Sequence, residues 1–219
     1  MTTAPSTTTS SGNTTNRRVI VYIDGFNLFF GLKAKGWKRF YWLDMQLLAK
    51  NLLRPGQSLE KVWYFTADVR DGTDTHLRQQ TYLDALCTHC SLLEIVRGRY
   101  LIKERQCRQC GNVAQIPEEK KTDVNIASHM IADAFNDRFD SAILISGDSD
   151  LVPPIEVIKK YQPDKRIIVA FPPKRQSYEL RQTAHGCFDI YEKTLKISLL
   201  PNPVVKPGGH ELFKPVTWK

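Results

Sequence analysis

From Val19 onward, short apolar runs rich in β-branched residues alternate with longer segments in which apolar residues recur every three or four positions. The short runs predict buried strands at 19–23, 62–65, 93–96, 142–145 and 167–171. Between them, 43–53 places Leu43, Leu47, Leu48 and Leu52 on one helical face, and 73–87 carries Leu77, Tyr82, Leu83 and Leu86 on an otherwise polar helix. A third helix is expected over 118–135, with Thr122 as its N-cap and Asp123 in its first turn. Strands and helices in alternation are the pattern of βαβ units, so the expected fold is α/β with a mainly parallel sheet.

Three stretches break the pattern. Residues 1–17 are crowded with Thr and Ser and read as a disordered tail. Residues 97–118 gather Arg, a C-x-x-C-G element and Pro117, and read as an insertion on the strand-helix frame. Residues 193–219 hold Pro201, Pro203, Pro207, Gly208, Gly209 and Pro215, which predict an irregular tail that lies across the domain. The ordered domain is therefore expected over 18–192, and no internal repeat is visible.

The composition narrows the function classes. With 219 residues, 42% hydrophobic and 25% charged, the chain can bury one full core and is neither disordered nor fibrous. A net charge of +8 favours a polyanionic partner, nucleic acid first. No apolar run approaches the roughly 18–20 residues that span a bilayer, and the start of the chain lacks the basic and apolar segments of a secretory signal. The expected location is cytoplasmic, a reducing setting in which the five cysteines are thiols or metal ligands rather than a disulfide framework. Homo-oligomerisation is left open.

The chemistry gathers where predicted strands end. The run 19–23 stops at Asp24, Gly25, Phe26 and Asn27, and the run 142–145 stops at Ser146, Gly147, Asp148, Ser149 and Asp150. In open α/β sheets ligands bind just beyond the carboxyl ends of strands, so two endings that carry Asp form halves of one site. Asp123 heads the apolar stripe Ile126, Ala127, Met130, Ile131 and Ala134, and so is expected to point toward the sheet. Asp24, Asp123, Asp148 and Asp150 then offer hard oxygen ligands suited to one or two Mg²⁺ or Mn²⁺ ions, with Asn27 orienting a water or a phosphate. Each acid also has a plain structural reading. Asp24-Gly25 is compatible with a simple turn, Asp123 with a helix-dipole partner, and Asp150 with the cap of the following helix, which makes Asp148 the firmer ligand.

The blocks DGFN at 24–27, KKTDV at 120–124 and SGDSD at 146–150 resemble the signature of the NYN domain, the LabA-like branch of the PIN-like nuclease superfamily. The likeness runs from about Arg18 to Tyr191 with the blocks in the expected order. It implies a three-layer α/β/α Rossmann-like (PIN-like) domain and metal-dependent ribonuclease chemistry. It also implies metal-binding roles for Asp24, Asp123 and Asp148, with Asn27 and Asp150 beside them. The cysteine-containing insertion before KKTDV is a departure from the simplest PIN-like domains.

Two further groups bear on binding. Cys87, Cys90, Cys107 and Cys110 form C-x2-C twice, sixteen residues apart, which falls within four-thiolate zinc spacing and would staple the insertion. Lys121, Lys174 and Arg175 are candidate phosphate contacts near the acids, Arg97, Arg99, Lys103, Arg105 and Arg108 crowd the insertion, and Lys33, Lys35, Trp37, Lys38, Arg39, Phe40 and Tyr41 mix charge with aromatics as single-strand binders do. The expectation is a ribonuclease, more readily an endonuclease on single-stranded RNA. The rivals are a non-catalytic RNA-binding or regulatory module and, weakest, a phosphohydrolase needing D-x-D after the first strand, where this chain has Phe26.

Overall fold

A computed structural model describes residues 16–68, 74–106 and 110–218, with the side chains of 99–106 and 114–120 excepted. In chain order the elements are β1 (Arg17–Asp24), α1 (Gly25–Ala34), α2 (Met45–Leu52), β2 (Gln57–Ala67), α3 (Asp74–His89), β3 (Leu93–Gln106), β4 (Val113–Lys120) and α4 (Thr122–Phe135). They continue as β5 (Ser141–Ile145), α5 (Val152–Tyr161), β6 (Arg166–Phe171), α6 (Tyr178–Thr183), β7 (Gly186–Asp189), α7 (Glu192–Lys196), β8 (Val204–Val205) and β9 (Glu211–Leu212).

Seven strands form one sheet in the order β4-β3-β2-β1-β5-β6-β7, parallel except for β4. β1 lies inside it and is buried on both faces, as its unbroken apolar run requires. Val19, Val21 and Ile23 enter one core with Leu28, Leu48 and Leu83, whereas Ile20 and Tyr22 enter a second with Ile126, Met130 and Ile155. These two cores are the helix layers of a three-layer α/β/α domain. The chain builds outward from β1 to β2 and β3, then returns to place β5 on the other side of β1. The strand order therefore reverses between β1 and β5, and ligands of open α/β sheets bind at such a switch point.

The first core strand begins at Arg17, and residues 1–15 of the expected tail lie outside the described residues. The expected insertion at 97–118 is regular: β3 runs on to Gln106 and pairs antiparallel with β4 from Arg99↔Lys120 to Gln106↔Val113. Pro117 is tolerated because β4 is an edge strand. The tail is also more ordered than its prolines predict. α7 covers Glu192–Lys196, β8 and β9 pair across the turn that holds Gly208 and Gly209, and Leu195, Leu200, Val204 and Leu212 are buried. The Trp42 indole donates to the Pro201 carbonyl at 3.0 Å, and Lys206 pairs with Asp84 at 2.7 Å, so the tail is part of the domain wall.

Candidate functional site

The end of β1 and the end of β5 meet at the switch point, and a chain of hydrogen bonds joins them. Asp24 is the N-cap of α1, accepting the Asn27 amide at 3.0 Å on Oδ1. Its Oδ2 accepts the Ser146 hydroxyl at 2.9 Å, and Ser146 Oγ in turn accepts the Asp148 amide at 3.1 Å. Asn27 Oδ1 accepts the Gly147 amide at 2.9 Å. Asn27 thus clamps the turn after β5 to α1, and only its Nδ2 hydrogens remain for a phosphate or water. Ser146 is fully buried at the centre of this relay, a role the sequence reading missed. Its signal was present: a serine at the end of an apolar strand must find partners for a buried hydroxyl.

Glycine is required here for close approach. A Cβ on Gly147 would stand 2.6 Å from the Arg175 carbonyl oxygen, and one on Gly25 would stand 2.6 Å from that of Phe65. Gly147 therefore lets the turn after β6 press against the turn after β5, which brings Lys174 and Arg175 to the rim. Lys174 is exposed, with a left-handed backbone (φ 59°), and the Arg175 guanidinium lies 5.8 Å from the Phe30 ring centre.

The capping expected of Asp150 falls to Asp148. Asp148 caps the 3₁₀ turn Ser149–Leu151, accepting the Asp150 amide at 3.0 Å. Asp150 sits exposed within that turn and caps nothing, and α5 starts after Leu151 without a side-chain cap. Thr122 is likewise not an N-cap: it is the first residue of α4, and the cap position is Lys121, exposed and left-handed at φ 82°. Asp123 in that first turn is exposed overall, with its carboxyl partly enclosed and its charge acting on Asp24, while the stripe of Ile126, Met130 and Ala134 is buried as expected.

The four acids nevertheless act on one another. Burial raises the Asp24 pKa to about 6 against the pull of its Asn27 and Ser146 hydrogen bonds, and the charges of Asp123 and Asp148 add to the rise. Asp123 is raised by partial enclosure of its carboxyl, then by Asp148 and Asp150. Like charges gathered without relief are the electrostatic setting in which a cation is stabilising. Among the described residues, however, no three His, Cys, Asp or Glu side chains stand close enough to enclose an ion. The set fits a hydrated hard cation better than a stripped one: Mg²⁺ takes one or two carboxylates directly and keeps several waters, and the exposed Asp123 and Asp150 have room to turn inward.

The raised pKa has a consequence for stability without metal. The folded chain holds the Asp24 proton up to about pH 6, whereas the unfolded chain releases it near 3.8. The contribution of protonated Asp24 is thus complete below the unfolded value and is lost as pH rises through about 6. In chelator, the stability of Asp24→Asn relative to wild type should increase by about 2–3 kcal/mol between about pH 4 and pH 7.5. Urea melts at both pH values measure it, and a pH-independent difference would refute the shift.

The four-thiolate zinc spacing falls only partly within the described residues, where Cys90 precedes β3 and Cys110 lies between β3 and β4. Cys90 is buried against α2 and donates to Asp44 Oδ1 at 3.3 Å, its thiol pushed up to about 12 by burial and then by Asp44. Cys87 and Cys110 are exposed, and Cys107 and Arg108 lie outside the described residues. The basic and aromatic stretch at 33–41 divides too. Phe40 is core and Arg39 pairs with Glu192 at 2.8 Å, while Lys33, Lys38 and Tyr41 line a cavity beside Gly25. Arg97 is held by Asp68 at 2.7 Å. Among the described residues no helix is long and apolar enough to cross a membrane.

Comparison with known proteins bears on the fold and the family. A crystal structure of a Vibrio parahaemolyticus protein of unknown function superposes with a TM-score of 0.55 over 85% of this chain and 98% of that one, at 17% identity, which supports the fold alone. The 6-hydroxy-3-succinoylpyridine 3-monooxygenase HspA of Pseudomonas putida (strain DSM 28022 / S16) is 26% identical over 92% of this chain and 75% of its own length. The NYN domain pattern matches residues 18–192, which spans the switch-point acids from Asp24 to Asp150. With that match over most of its length, the chain belongs to the NYN domain family, a family of generally nuclease-like, nucleic-acid-acting domains.

Proposed function

We propose that this protein is a divalent-metal-dependent ribonuclease that hydrolyses phosphodiester bonds, acting as an endonuclease on single-stranded RNA. The observation that carries the reading is the gathering of acids at the reversal of strand order, where the charges of Asp123 and Asp148 act on buried Asp24 and those of Asp148 and Asp150 act on Asp123. A fold that only bound a polyanion would be more stable and bind more tightly without these acids, because each repels phosphate and Asp24 resists burial.

Bound at this site, Mg²⁺ or Mn²⁺ would supply Lewis-acid chemistry, making a neighbouring water more acidic and offsetting charge that gathers on the phosphate. Asp24 and Asp148 are the inner holders, fixed by Ser146 and by their capping bonds. Asp123 and Asp150 are the outer holders, direct or through water. The Asn27 Nδ2 group donates to a phosphate oxygen or the attacking water. Exposed Lys121 and Lys174 and half-buried Arg175 hold phosphates on either side of the scissile bond. The attacking water's oxygen bonds to phosphorus as the bond to the leaving oxygen breaks, and the water's proton passes to a carboxylate or solvent.

HspA is named for hydroxylation of a pyridine, a different reaction from RNA hydrolysis, and that name is confined to HspA. The test is incubation of the purified chain with labelled single-stranded RNA, duplex RNA and DNA in Mg²⁺, Mn²⁺ or EDTA. Internal cuts in single-stranded RNA that appear with metal and vanish in EDTA are the expected result. Cleavage that survives EDTA, or intact RNA under every metal condition, refutes the proposal.

A further inference from the structure

A cavity of about 340 Å³ opens beside Asp24, between α1, the end of β2, α3 and the chain's last residues. Its walls are aromatic to an extent that the hydrolytic site does not use: Phe26, Phe29, Tyr41, Tyr64, Tyr82 and Trp218 all contribute. Its edge is basic, with Lys33, Lys38 and Arg78. We propose that this cavity binds a single planar aromatic ring bearing an anionic group, supplied either by a nucleotide or by a free aromatic carboxylate.

The walls are built rather than incidental. Trp218 packs edge-on against Tyr41 at 5.7 Å and Tyr82 at 5.9 Å between ring centres, the edge-to-face geometry that rings favour. Tyr82 is fixed in turn by donating to the Leu43 carbonyl at 2.8 Å, and Tyr41 by packing on Phe29 at 4.9 Å. The segment bearing Trp218 is tied down where Lys214 Nζ donates to the Arg39 carbonyl at 2.9 Å. These contacts hold the walls in place, and walls held in place lower the ordering cost of binding.

Tyr64 supplies the polar group that orients a guest. The residue is 6% exposed, and its hydroxyl end lies against Gly25, where a Cβ would meet it at 2.9 Å. Among the described residues its hydroxyl has no hydrogen-bond partner, and none of the buried side-chain oxygens there is left unpaired, so this hydroxyl opens onto the cavity it lines. Burial, and then the charge of Asp24, raise its pKa, so it remains a donor at neutral pH. A ring nitrogen or carbonyl reaching the cavity floor would accept this bond while the ring lies among aromatic walls. The anionic substituent would stay at the edge with the lysines and Arg78, away from the repelling acids. A guest without a ring would forfeit the stacking, and one without the anion would leave the basic edge unpaired.

Isothermal titration calorimetry of the full chain in EDTA, with UMP, AMP and nicotinate as probes, tests this. Saturable binding of UMP or AMP identifies a nucleotide recess, saturable binding of nicotinate identifies a small-molecule site, and either supports the proposal. Ribose 5-phosphate, uridine and nicotinamide, each lacking the ring or the anion, should bind at least tenfold more weakly. Tyr64→Phe should weaken the bound probe by roughly three- to tenfold, the loss of one neutral hydrogen bond. Trp218→Ala should weaken it further, and Asp148→Asn should leave it unchanged whether or not the chain cleaves RNA. No saturable heat with any ring probe, ribose 5-phosphate binding as well as UMP, or unaltered binding in both Tyr64→Phe and Trp218→Ala would overturn it.

Discussion

Asp148→Asn is expected to reduce metal-dependent RNA cleavage by about 10²–10³-fold, the scale seen when one preorganised electrostatic group is removed from a transition state. The size follows from what the substitution keeps. An asparagine Oδ1 can accept the Asp150 amide as Asp148 Oδ1 does, so the cap of the 3₁₀ turn persists and only the negative charge is lost. The Ser146 relay survives too, because it uses the backbone amide of residue 148. The melting temperature should therefore hold or rise, since the change also relieves repulsion on Asp24 and Asp123. Single-turnover cleavage alongside a thermal melt makes the measurement. Activity within tenfold of wild type at saturating Mn²⁺ would remove Asp148 from the proposed metal set. Asp150→Asn is the informative companion: Asp150 caps nothing, so any loss it causes is chemistry and not structure.

The frame was legible because burial leaves a strong mark on sequence. All five expected strands exist, since β1, β5 and β6 are buried on both faces and cannot avoid continuous apolar runs. β7 escaped notice because its four residues, GCFD, are only half-buried and carry little apolar signal. β4 escaped because an edge strand of charged residues with a proline resembles a loop. The ordered tail escaped for a related reason: Leu200, Val204 and Leu212 are single anchors in a proline-rich stretch, and isolated anchors have no period. In the candidate site, residue identity was readable from strand ends, but division of labour was not. Whether Asp148 or Asp150 makes the cap depends on where a 3₁₀ turn begins, and a shift of two residues exchanges them.

Asp133→Ala is expected to destabilise the protein by about 3–5 kcal/mol, the usual cost of removing one partner from a buried polar cluster. Asp133 is 3% exposed on α4, and its Oδ2 accepts both the Tyr22 hydroxyl at 2.8 Å and the Trp63 indole at 2.9 Å. Arg138 approaches Oδ1 at 3.3 Å, so the carboxylate is paired as well as hydrogen-bonded. Alanine would leave two buried donors from β1 and β2 without an acceptor. Asn, whose Oδ1 can still receive both, should lose only about 1–2 kcal/mol. Urea unfolding measures the series, and equal losses for Ala and Asn would mean that packing rather than hydrogen bonding holds α4 to the sheet. The residue also separates stability from chemistry. Asp133 lies ten residues further along α4 than Asp123, about 15 Å along the helix axis. Asp133→Asn should therefore leave cleavage per folded molecule near wild type, because what it weakens is the bond between the middle of the helix and the sheet and not the first turn that carries Asp123.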